Sequence, residues 1–462
     1  MNLQQPIERP RLIGSEVPEK PLSILKAVKV AKQNVLATVP RIAYRELIWR
    51  SRSFFGNAVL VSDPAGLKHI LLDNVANYPK ADMERDILGA AFGEGLLVSE
   101  GEKWRSHRRI MSPAFDFRSL VSYTPAMTER ALAFVEGWNA LAPGAVVDIS
   151  AEMTRLTLQI ISRTMFSADA GDLGEMVGDT MNRGQEQLVF SLVDLLPVIG
   201  KWHMAGTMKR VHKTFSELDT AMVGLIEARG KKPSNPPRDL LDRLVAARDG
   251  ETGVGMSDRE VRDEVVIIFL AGHETTAVAM TFVWYLLSQH PHVEAKLHAE
   301  LARVLGDRAP THADIADLPY TRMVIEETLR LYPPAPGLAT RQALEADEVC
   351  GHKVKKGEMI AILPWVVQRH EKLWDDPLAF DPERFSPERS AGRQRFTYLP
   401  FGGGPRICIG AQLATIEATL ILATLAQRYA LRLAPGPEIQ LQSHVTLRPK
   451  GGMSMILERR TP

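Results

Sequence analysis

The stretch FGGGPRICIG, residues 401–410, contains Cys408, one of only two cysteines in a chain of 462 residues. From Ala411 the apolar run AQLATIEATLILATLAQRYAL predicts a buried helix, so Cys408 lies at or just before a helix N-terminus. Backbone amides and the helix dipole stabilise a thiolate at such a position. Three successive glycines let the backbone approach something large and flat. The stretch therefore suggests a sulfur ligand beneath a flat group.

The residues alone leave two interpretations of Cys408. In the first it is a buried structural cysteine in a glycine-rich turn, the commoner fate of a lone cysteine. In the second its thiolate lies under a cofactor with acidic edges, one of which pairs with Arg406, and haem is such a cofactor. Together with Cys350 it forms neither a disulfide framework nor a zinc cluster.

The pattern around Cys408 resembles the haem-binding loop of the cytochrome P450 family, F-x-x-G-x-R-x-C-x-G. The fixed positions are Phe401, Gly404, Arg406, Cys408 and Gly410. Other family motifs follow in the same order and spacing, so the resemblance covers nearly the whole chain. It implies haem b (iron protoporphyrin IX) as the cofactor and Cys408 as the axial iron ligand. It further implies that Phe401 packs near the sulfur and that Arg406 binds a haem propionate.

A long helix is predicted between a capping box, Ser257 with Glu260, and Pro291. The motif AGHETT, residues 271–276, lies halfway along it. A carboxylate such as Glu274 is costly to bury unless it is paired or functional, whereas a surface turn would leave it solvated.

The family resemblance decides between these two environments for the motif. AGHETT resembles the acid–alcohol pair of the family's oxygen-activating central helix. It implies that Glu274 and Thr275 deliver protons during oxygen activation and that Ala271 lines the haem face.

The motif EETLRLYPPAP, residues 326–336, places Glu327 and Arg330 three residues apart on one helix face. Alone, such a pair is an ordinary surface contact. Here it resembles the family's E-x-x-R, and the later DPERF supplies the expected partner, Arg384. The resemblance implies a buried network of Glu327, Arg330 and Arg384, structural rather than catalytic.

The segment WRSHRR, residues 104–109, places Trp104 and Arg108 on one helical face. The two resemble the family's W-x-x-x-R, whose side chains bind a haem propionate. Arg341, after the proline-rich stretch, resembles a further propionate contact by its position. A solvated basic helix and a strand-edge arginine are the alternatives for these residues taken singly.

The family position of four segments predicts an apolar pocket and hence a hydrophobic small-molecule substrate. The candidate pocket residues are Phe92, Leu96, Leu97, Ile268, Leu338 and Thr446. At any one of these positions plain core packing is the alternative. The apolar segment 188–202 lies where the family has a mobile lid, and it either roofs the pocket or makes a peripheral contact with a membrane surface.

The overall charge is almost balanced, with 56 Lys and Arg against 55 Asp and Glu, a net charge of +1. This balance gives no support for nucleic-acid binding. Lys103, Arg105 and Arg109 form a local basic patch beside the predicted propionate-binding residues. We expect that patch to dock an acidic electron donor, a ferredoxin or flavodoxin served by its reductase.

The fold class expected is mainly α (α+β), a cytochrome P450 fold with small β-sheets around a buried haem. Strands are predicted in two β-rich subregions, about 40–65 and 335–370, with turns at Gly56–Asn57 and Lys356–Gly357. A terminal hairpin is predicted about Gly451–Gly452. We expect one domain over residues 1–462, with no fused reductase because the chain ends soon after that hairpin.

The N-terminus lacks an apolar stretch after a basic start, so no signal peptide is expected. No uncharged apolar run is long enough to span a bilayer. These features predict a cytoplasmic protein, and we expect a monomer.

These motifs together predict a haem-thiolate monooxygenase that inserts one oxygen atom from O2 into a hydrophobic molecule, fatty acid or terpenoid-like, with electrons from external partners. A peroxygenase, isomerase or dehydratase on the same fold is one alternative, against which the intact acid–alcohol pair counts. A non-catalytic haem-binding sensor or carrier is another, and it would not need Glu274 and Thr275.

Overall fold

The structure is a computed structural model that describes residues 12–14, 16–53, 56–167, 180, 183, 199–229, 237–443 and 445–460. Most of these residues are helical. In chain order the α-helices are α1 (Ile24–Ala31), α2 (Pro64–Lys68), α3 (Asp82–Phe92), α4 (Gly101–Met111), α5 (Phe117–Asn139), α6 (Ile149–Phe166), α7 (Ile199–Arg229), α8 (Leu240–Ala246), α9 (Asp258–Gln289), α10 (Pro291–Leu305), α11 (Pro319–Leu331), α12 (Pro364–Val367), α13 (Pro387–Ser390) and α14 (Ala411–Ala426).

The strands are short and form small sheets at the edges of the helical body. They are β1 (Ile48–Ser53), β2 (Gly56–Val61), β3 (Val146–Asp148), β4 (Arg341–Gln342), β5 (Asp347–Val349), β6 (His352–Val354), β7 (Met359–Ala361), β8 (Tyr429–Leu433), β9 (Leu441–Ser443), β10 (Leu447–Pro449) and β11 (Ser454–Arg459). Their orders are β1-β2-β7-β4, β3-β11-β8, β9-β10 and β5-β6. The predicted class, mainly helical with small sheets, is confirmed.

Helix α9, called the central helix below, organises the core. The predicted capping box is present, because Ser257 accepts from the Glu260 amide and Glu260 accepts from the Ser257 amide. Among the described residues it alone is long and apolar enough to cross a bilayer, but 78% of its most apolar window is buried inside the protein. It packs along α6 and α14 as the core helix of the fold.

The turn predicted at Gly56–Asn57 is wrong. Gly56 pairs with Ser53 and Asn57 pairs with Arg52, so both are strand residues of the β1-β2 ladder. The register, with Ile48 opposite Val61, continues through them and excludes a turn at that point. A Gly-Asn pair is permissive for a turn but cannot impose one against a continuing ladder.

The predicted terminal hairpin is also wrong, although its turn exists. Gly451 and Gly452 have φ of 78° and 85°, the left-handed region that favours glycine. The strands on either side nevertheless belong to different sheets, because β10 pairs with β9 whereas β11 pairs with β3 and β8. Likewise the chain turns at Lys356–Gly357, but β6 pairs back to β5 and β7 joins β2 and β4.

Candidate active site at the cysteine loop

The cysteine loop, residues 401–410, is held by its own backbone. The Cys408 amide donates to the Phe401 carbonyl at 2.9 Å, and Gly404–Arg406 forms a single 3₁₀ turn between them. Helix α14 begins at Ala411, as predicted, with Gly410 at its N-cap. Phe401 is half-buried and packs against the main core, so it anchors the loop beside the cysteine.

Position 404 requires glycine because the backbone of the cysteine loop lies very close to the backbone at Leu71. Its φ is 69°, and a Cβ there would lie 1.8 Å from the Leu71 carbonyl oxygen. The loop therefore packs backbone to backbone on the helical turn His69–Asp73. Any side chain at this position would push the loop off its support.

The Cys408 thiol is exposed on one side and crowded by protein on the others. Desolvation raises the pKa of this thiol, and the Gly410 amide and the Arg108 guanidinium act in the opposite direction without outweighing it. The amide at the helix N-terminus thus favours the thiolate, as expected from the sequence, but desolvation acts more strongly on the free thiol.

The central helix opens towards a space at Ala271. This residue is exposed although the preceding Leu270 and the following His273 and Glu274 are buried. The Thr275 hydroxyl donates back to the Ala271 carbonyl at 2.8 Å, a bond that competes with the helix ladder. The structure thus places a small residue and a hydroxyl at the same opening in the core.

Glu274 is buried beside them and is charge-paired. Arg448 donates to Glu274 Oε1 through Nε, at 3.0 Å, and through Nη2. The hydroxyl of Thr446, a residue expected in the pocket wall, donates to the same oxygen and so holds the acid of the motif. Sequence reasoning missed Arg448, although its position two residues from Thr446 in an extended segment places both on one face.

Three propionate-binding candidates meet at the cysteine loop. Arg406 lies over the Trp104 ring, 4.3 Å from its centroid, and donates to the Ser99 carbonyl and the Glu100 carboxylate. Arg108 donates to the Ile407 carbonyl at 2.9 Å. Helix α4 therefore brings its predicted face against the loop, with part of each guanidinium satisfied by protein.

Arg341 lies buried near the same cations. Among the residues that the structure describes, its Nε and Nη1 atoms have no hydrogen-bond partner, and burial lowers its pKa. Lys80, which sequence reasoning missed, is also buried, and burial followed by the Arg406 charge lowers its pKa to about 7. Glu100 and Glu84 offset part of this positive charge. A buried guanidinium with unused donors requires an anionic partner.

The residues present fit haem b. Cys408 offers an exposed sulfur ligand, and the exposed Ala271 presents a side chain small enough to lie against a flat ring. The unused donors of Arg341, beside Arg406 and Lys80, suit the two propionates. Each of these features suits a different part of the cofactor: the iron, the flat ring or the two propionates.

The structure also brings together the three residues expected to form a network. Arg330 donates to Glu327 through Nε at 2.6 Å and through Nη2 at 2.8 Å, and Arg384 Nε lies 3.3 Å from Glu327 Oε1. All three side chains are buried. Arg330 also donates to carbonyls of the segment that leads to the cysteine loop, at Pro377 and Ala379.

The remaining pocket candidates differ in environment. Phe92 is buried against Phe215, with ring centroids 5.6 Å apart, and Ile268 is buried on the central helix. Leu96 is half-buried and Leu97 is 40% exposed. Leu338 is half-buried beside Gly402 of the cysteine loop. Of segment 188–202, residues 188–198 lie outside the described residues.

The expected basic patch on α4 is already paired within the chain. Lys103 bonds Glu94 at 2.6 Å, and Arg105 pairs with Glu102. Arg109 donates to both oxygens of Asp249, at 3.1 and 2.8 Å. The first two pairs are exposed, whereas the Asp249 side chain is fully buried, so Arg109 has a structural partner.

A cysteine loop that leads into a helix packed on the central helix, beside an acid–alcohol pair and on this helical fold, is the arrangement of a haem-thiolate protein. A family model described as Cytochrome P450 matches residues 25–456. Cyclooctatin synthase of Streptomyces melanosporofaciens is 37% identical over 369 residues, covering 80% of this chain and 79% of the relative.

Cyclooctat-9-en-7-ol 5-monooxygenase of the same organism is 35% identical over 390 residues, covering 82% of this chain and 81% of the relative. The crystal structure of the cytochrome P450DA heme domain is similar with a TM-score of 0.79, at 27% identity and over 90% of each chain. This chain belongs to the cytochrome P450 family; it is a P450 monooxygenase with haem b as its cofactor.

Proposed function

We propose that this monooxygenase inserts one oxygen atom from O2 into a hydrophobic, terpenoid-like molecule. The observation that carries the proposal is the packing of α14, the helix that begins directly after the cysteine loop, on the central helix beside its acid–alcohol pair, where the Thr276 hydroxyl lies 3.5 Å from Glu417 of α14. The exposed and half-buried pocket candidates Leu96, Leu97 and Leu338 are apolar, which suits such a substrate. Two relatives whose names describe the synthesis of cyclooctatin and the oxidation of an unsaturated alcohol favour a terpenoid over a fatty acid.

In this proposal Cys408 is the iron ligand, and Trp104, Arg108, Arg341 and Arg406 hold the propionates. Phe401 supports the sulfur from the core side of the loop, and Ala271 leaves room for the ring. When bound, haem with a thiolate ligand activates dioxygen and supplies the oxidising chemistry. The unused donors of the buried Arg341 are the contacts that an apo-protein leaves unsatisfied.

Glu274 and Thr275 manage protons at this opening. The Glu274 carboxylate is buried, but its partner Arg448 is 24% exposed and so links it to solvent. A turn of the carboxylate between Arg448 and the opening carries a proton inward, and the Thr275 hydroxyl passes it on at the reacting face. The contact with Arg448 keeps the carboxylate positioned beside the opening.

Electrons come from an external donor, and we propose an acidic ferredoxin or flavodoxin. Arg105 and Lys103 have exposed partners, and such pairs are weak enough for an acidic protein to replace. Arg109 is committed to the buried Asp249, so the docking surface is narrower than the sequence suggests. A cytoplasmic location, a monomeric state and a single domain over residues 1–462 stay predictions.

The absorption spectrum of the dithionite-reduced protein with carbon monoxide tests the site first. A strongly red-shifted Soret band establishes thiolate ligation, and the same sample is then screened with terpenoids and fatty acids for substrate-induced spin shifts. A band at the shorter wavelength of a neutral ligand contradicts the role of Cys408. Turnover with peroxide, but not with O2 and redox partners, contradicts the monooxygenase proposal in favour of a peroxygenase.

A further inference from the structure

Two neighbouring carboxylates of the central helix hold the backbone of segment 93–98. Asp263 accepts from the Glu94 amide at 2.8 Å, and Glu264 accepts from the Leu96 amide at 3.0 Å. The contact is close, because a Cβ on Gly95 would lie 2.6 Å from the Ile267 side chain. The segment therefore lies directly on the helix, with the helix carboxylates as its hydrogen-bond acceptors.

The second oxygen of Glu264 is bound by His107 of α4. His107 Nδ1 lies 2.6 Å from Glu264 Oε1, and its Nε2 lies 3.3 Å from Glu260 Oε1. The side chains of His107 and Glu264 are 4% and 0% exposed. A carboxylate buried so completely needs a cationic or hydrogen-bonding partner, and His107 is that partner.

At its other end the same segment is hydrogen-bonded to two cations of the predicted propionate site, Lys80 and Arg406. The Leu97 carbonyl accepts from Lys80, and the Ser99 carbonyl accepts from Arg406. Between these ties and the central helix the segment carries the apolar side chains of Leu96 and Leu97. It therefore spans from the central helix to the predicted propionate site.

We infer that His107 and Glu264 form a positioning pair that fixes segment 93–98 as one wall of the substrate pocket and thereby selects which molecules fit. The inference rests on the proposed function, because it takes this segment as a pocket wall. His107 acts through Glu264 and the Leu96 amide, so it is a positioning residue rather than a catalytic one.

The pair also makes the wall sensitive to pH. Burial alone lowers the pKa of His107, but its hydrogen bonds and charge interactions with Glu264 and Glu260 outweigh burial and raise that pKa. Other charged groups nearby are committed elsewhere, Asp249 to Arg109 and Asp263 to Arg262. We call the positioning pair, with the Leu96 amide that it holds, the clamp. The stabilisation by the charged clamp is thus fully present below the ordinary histidine pKa of about 6.5, and it is lost as pH rises through the higher pKa of His107 in the folded protein.

Hydrogen exchange of the holoenzyme tests the clamp without any need for turnover. In the His107→Gln variant, protection of the amides in segment 93–98 is expected to fall about tenfold, the effect of weakening one hydrogen bond to a charged group. The pH dependence of protection that we expect in the wild type should flatten as well. Ser106→Ala is the matched control, because it removes a bond from the same helix to Asp249 and leaves Glu264 untouched.

Glu264→Gln is the second variant, and protection of α14 reports global stability in each protein. A loss confined to segment 93–98 in both variants supports the clamp. Unchanged protection there in both variants overturns it, as does a loss of equal size in the Ser106→Ala control.

Binding of imidazole and 4-phenylimidazole to the haem, followed by absorption, tests selectivity. In His107→Gln the preference for the larger ligand over imidazole is expected to fall about tenfold, since its ring loses a fixed wall. An unchanged preference overturns the selectivity role. A wild-type carbon monoxide spectrum without thiolate character contradicts the proposed function instead, and the exchange result then decides the clamp by itself.

Discussion

Buried ionisable side chains around the cysteine loop depart from their ordinary pKa values for one shared reason. Desolvation lowers the pKa of Lys80 and Arg341 and raises that of Glu417, because each loses water without gaining a full counter-charge. For the two cations the missing partner is supplied by the anionic edge of the cofactor. Glu417, on α14, is assigned no contact with the cofactor that could supply a partner.

Glu417 is expected to cost stability at neutral pH. Burial raises its pKa to about 8. Its Oε1 has no hydrogen-bond partner within the described part of the chain, and the Thr276 hydroxyl lies 3.5 Å from Oε2. The folded state therefore holds a proton that the unfolded state releases, so stability falls as pH rises from about 4.5 towards 8. Glu417→Gln should gain about 3 kcal/mol at pH 7 and flatten this dependence, as measured by denaturant unfolding.

The exposed Glu348 provides the control for that experiment. Glu348→Gln should leave the pH dependence of unfolding as it is in the wild type. A Glu417→Gln protein whose stability still declines between these pH values would contradict the assignment of the decline to Glu417.

Thr275→Ala tests proton delivery at the central helix. Loss of the hydroxyl should lower product formation about a hundredfold while NAD(P)H consumption persists, because proton transfer by a positioned group contributes on that order. Thr281→Ala is matched, since Thr281 makes the same bond back to the carbonyl four residues earlier, at 2.8 Å, away from the motif. Equal yields of product per NAD(P)H in the two variants would show that Thr275 has no special role.

At the scale of elements, the buried charges of α11 hold the irregular segment 368–379, which precedes the cysteine loop in the chain. Arg330 satisfies Glu327 with two donors and reaches three carbonyls of the following chain, those of Gln368, Pro377 and Ala379. A side chain with five donors in a fixed plane suits this role, because it binds a carboxylate and carbonyls together. The network therefore joins a helix to a segment with no regular structure of its own.

Glu327→Gln should destabilise the fold by about 3–5 kcal/mol, because two buried guanidinium groups would lose their counter-charge. Thermal unfolding and haem content measure the effect, and both should fall. Arg322→Gln, on the same helix but 52% exposed, should change stability by less than about 0.5 kcal/mol. Similar losses in the two variants would mean that burial of the network is not what stabilises this region.

At the scale of the whole molecule, charge is nearly neutral but locally arranged. The net charge of +1 gives no general attraction for an acidic partner, so steering must come from a local patch. The patch on α4 is reduced by its own ion pairs, and Arg105 has the more exposed pair, with 57% of its side chain accessible. Association with a donor should therefore depend on few charges and on salt.

Arg105→Glu should slow reduction of the haem by an acidic ferredoxin at low ionic strength, and the difference should shrink as salt screens the charges. Stopped-flow reduction with carbon monoxide trapping measures the rate. Arg303→Glu, at an exposed position on α10, changes the net charge equally. If both variants are slowed alike, the effect is one of net charge and the proposed docking surface is wrong.

The sequence by itself determined the family, the fold class and the cofactor, because each depends on local patterns of residue type. The spacing around Cys408, the AGHETT motif and the capping box at Ser257 involve residues close together in the chain. A sustained apolar pattern with helical periodicity can also be recognised within one stretch of sequence, and for this reason the positions of the central helix and α14 were predicted correctly. The pairing of the neighbouring strands β1 and β2 was also predicted correctly, but the partners of β7, β10 and β11 were not, because pairing between distant segments cannot be recognised in either segment alone.

Outside the predicted Glu327–Arg330–Arg384 network, only the tertiary structure decided which charges meet. Arg448 lies 174 residues from Glu274, and Glu264 lies 157 residues from His107, so no local pattern joins either pair. The raised pKa of Cys408 is likewise a property of the surroundings, since desolvation by the packed chain outweighs the helix N-terminus that sequence reasoning relied on. Burial and long-range contact depend on the whole fold, and they set the electrostatics of the site.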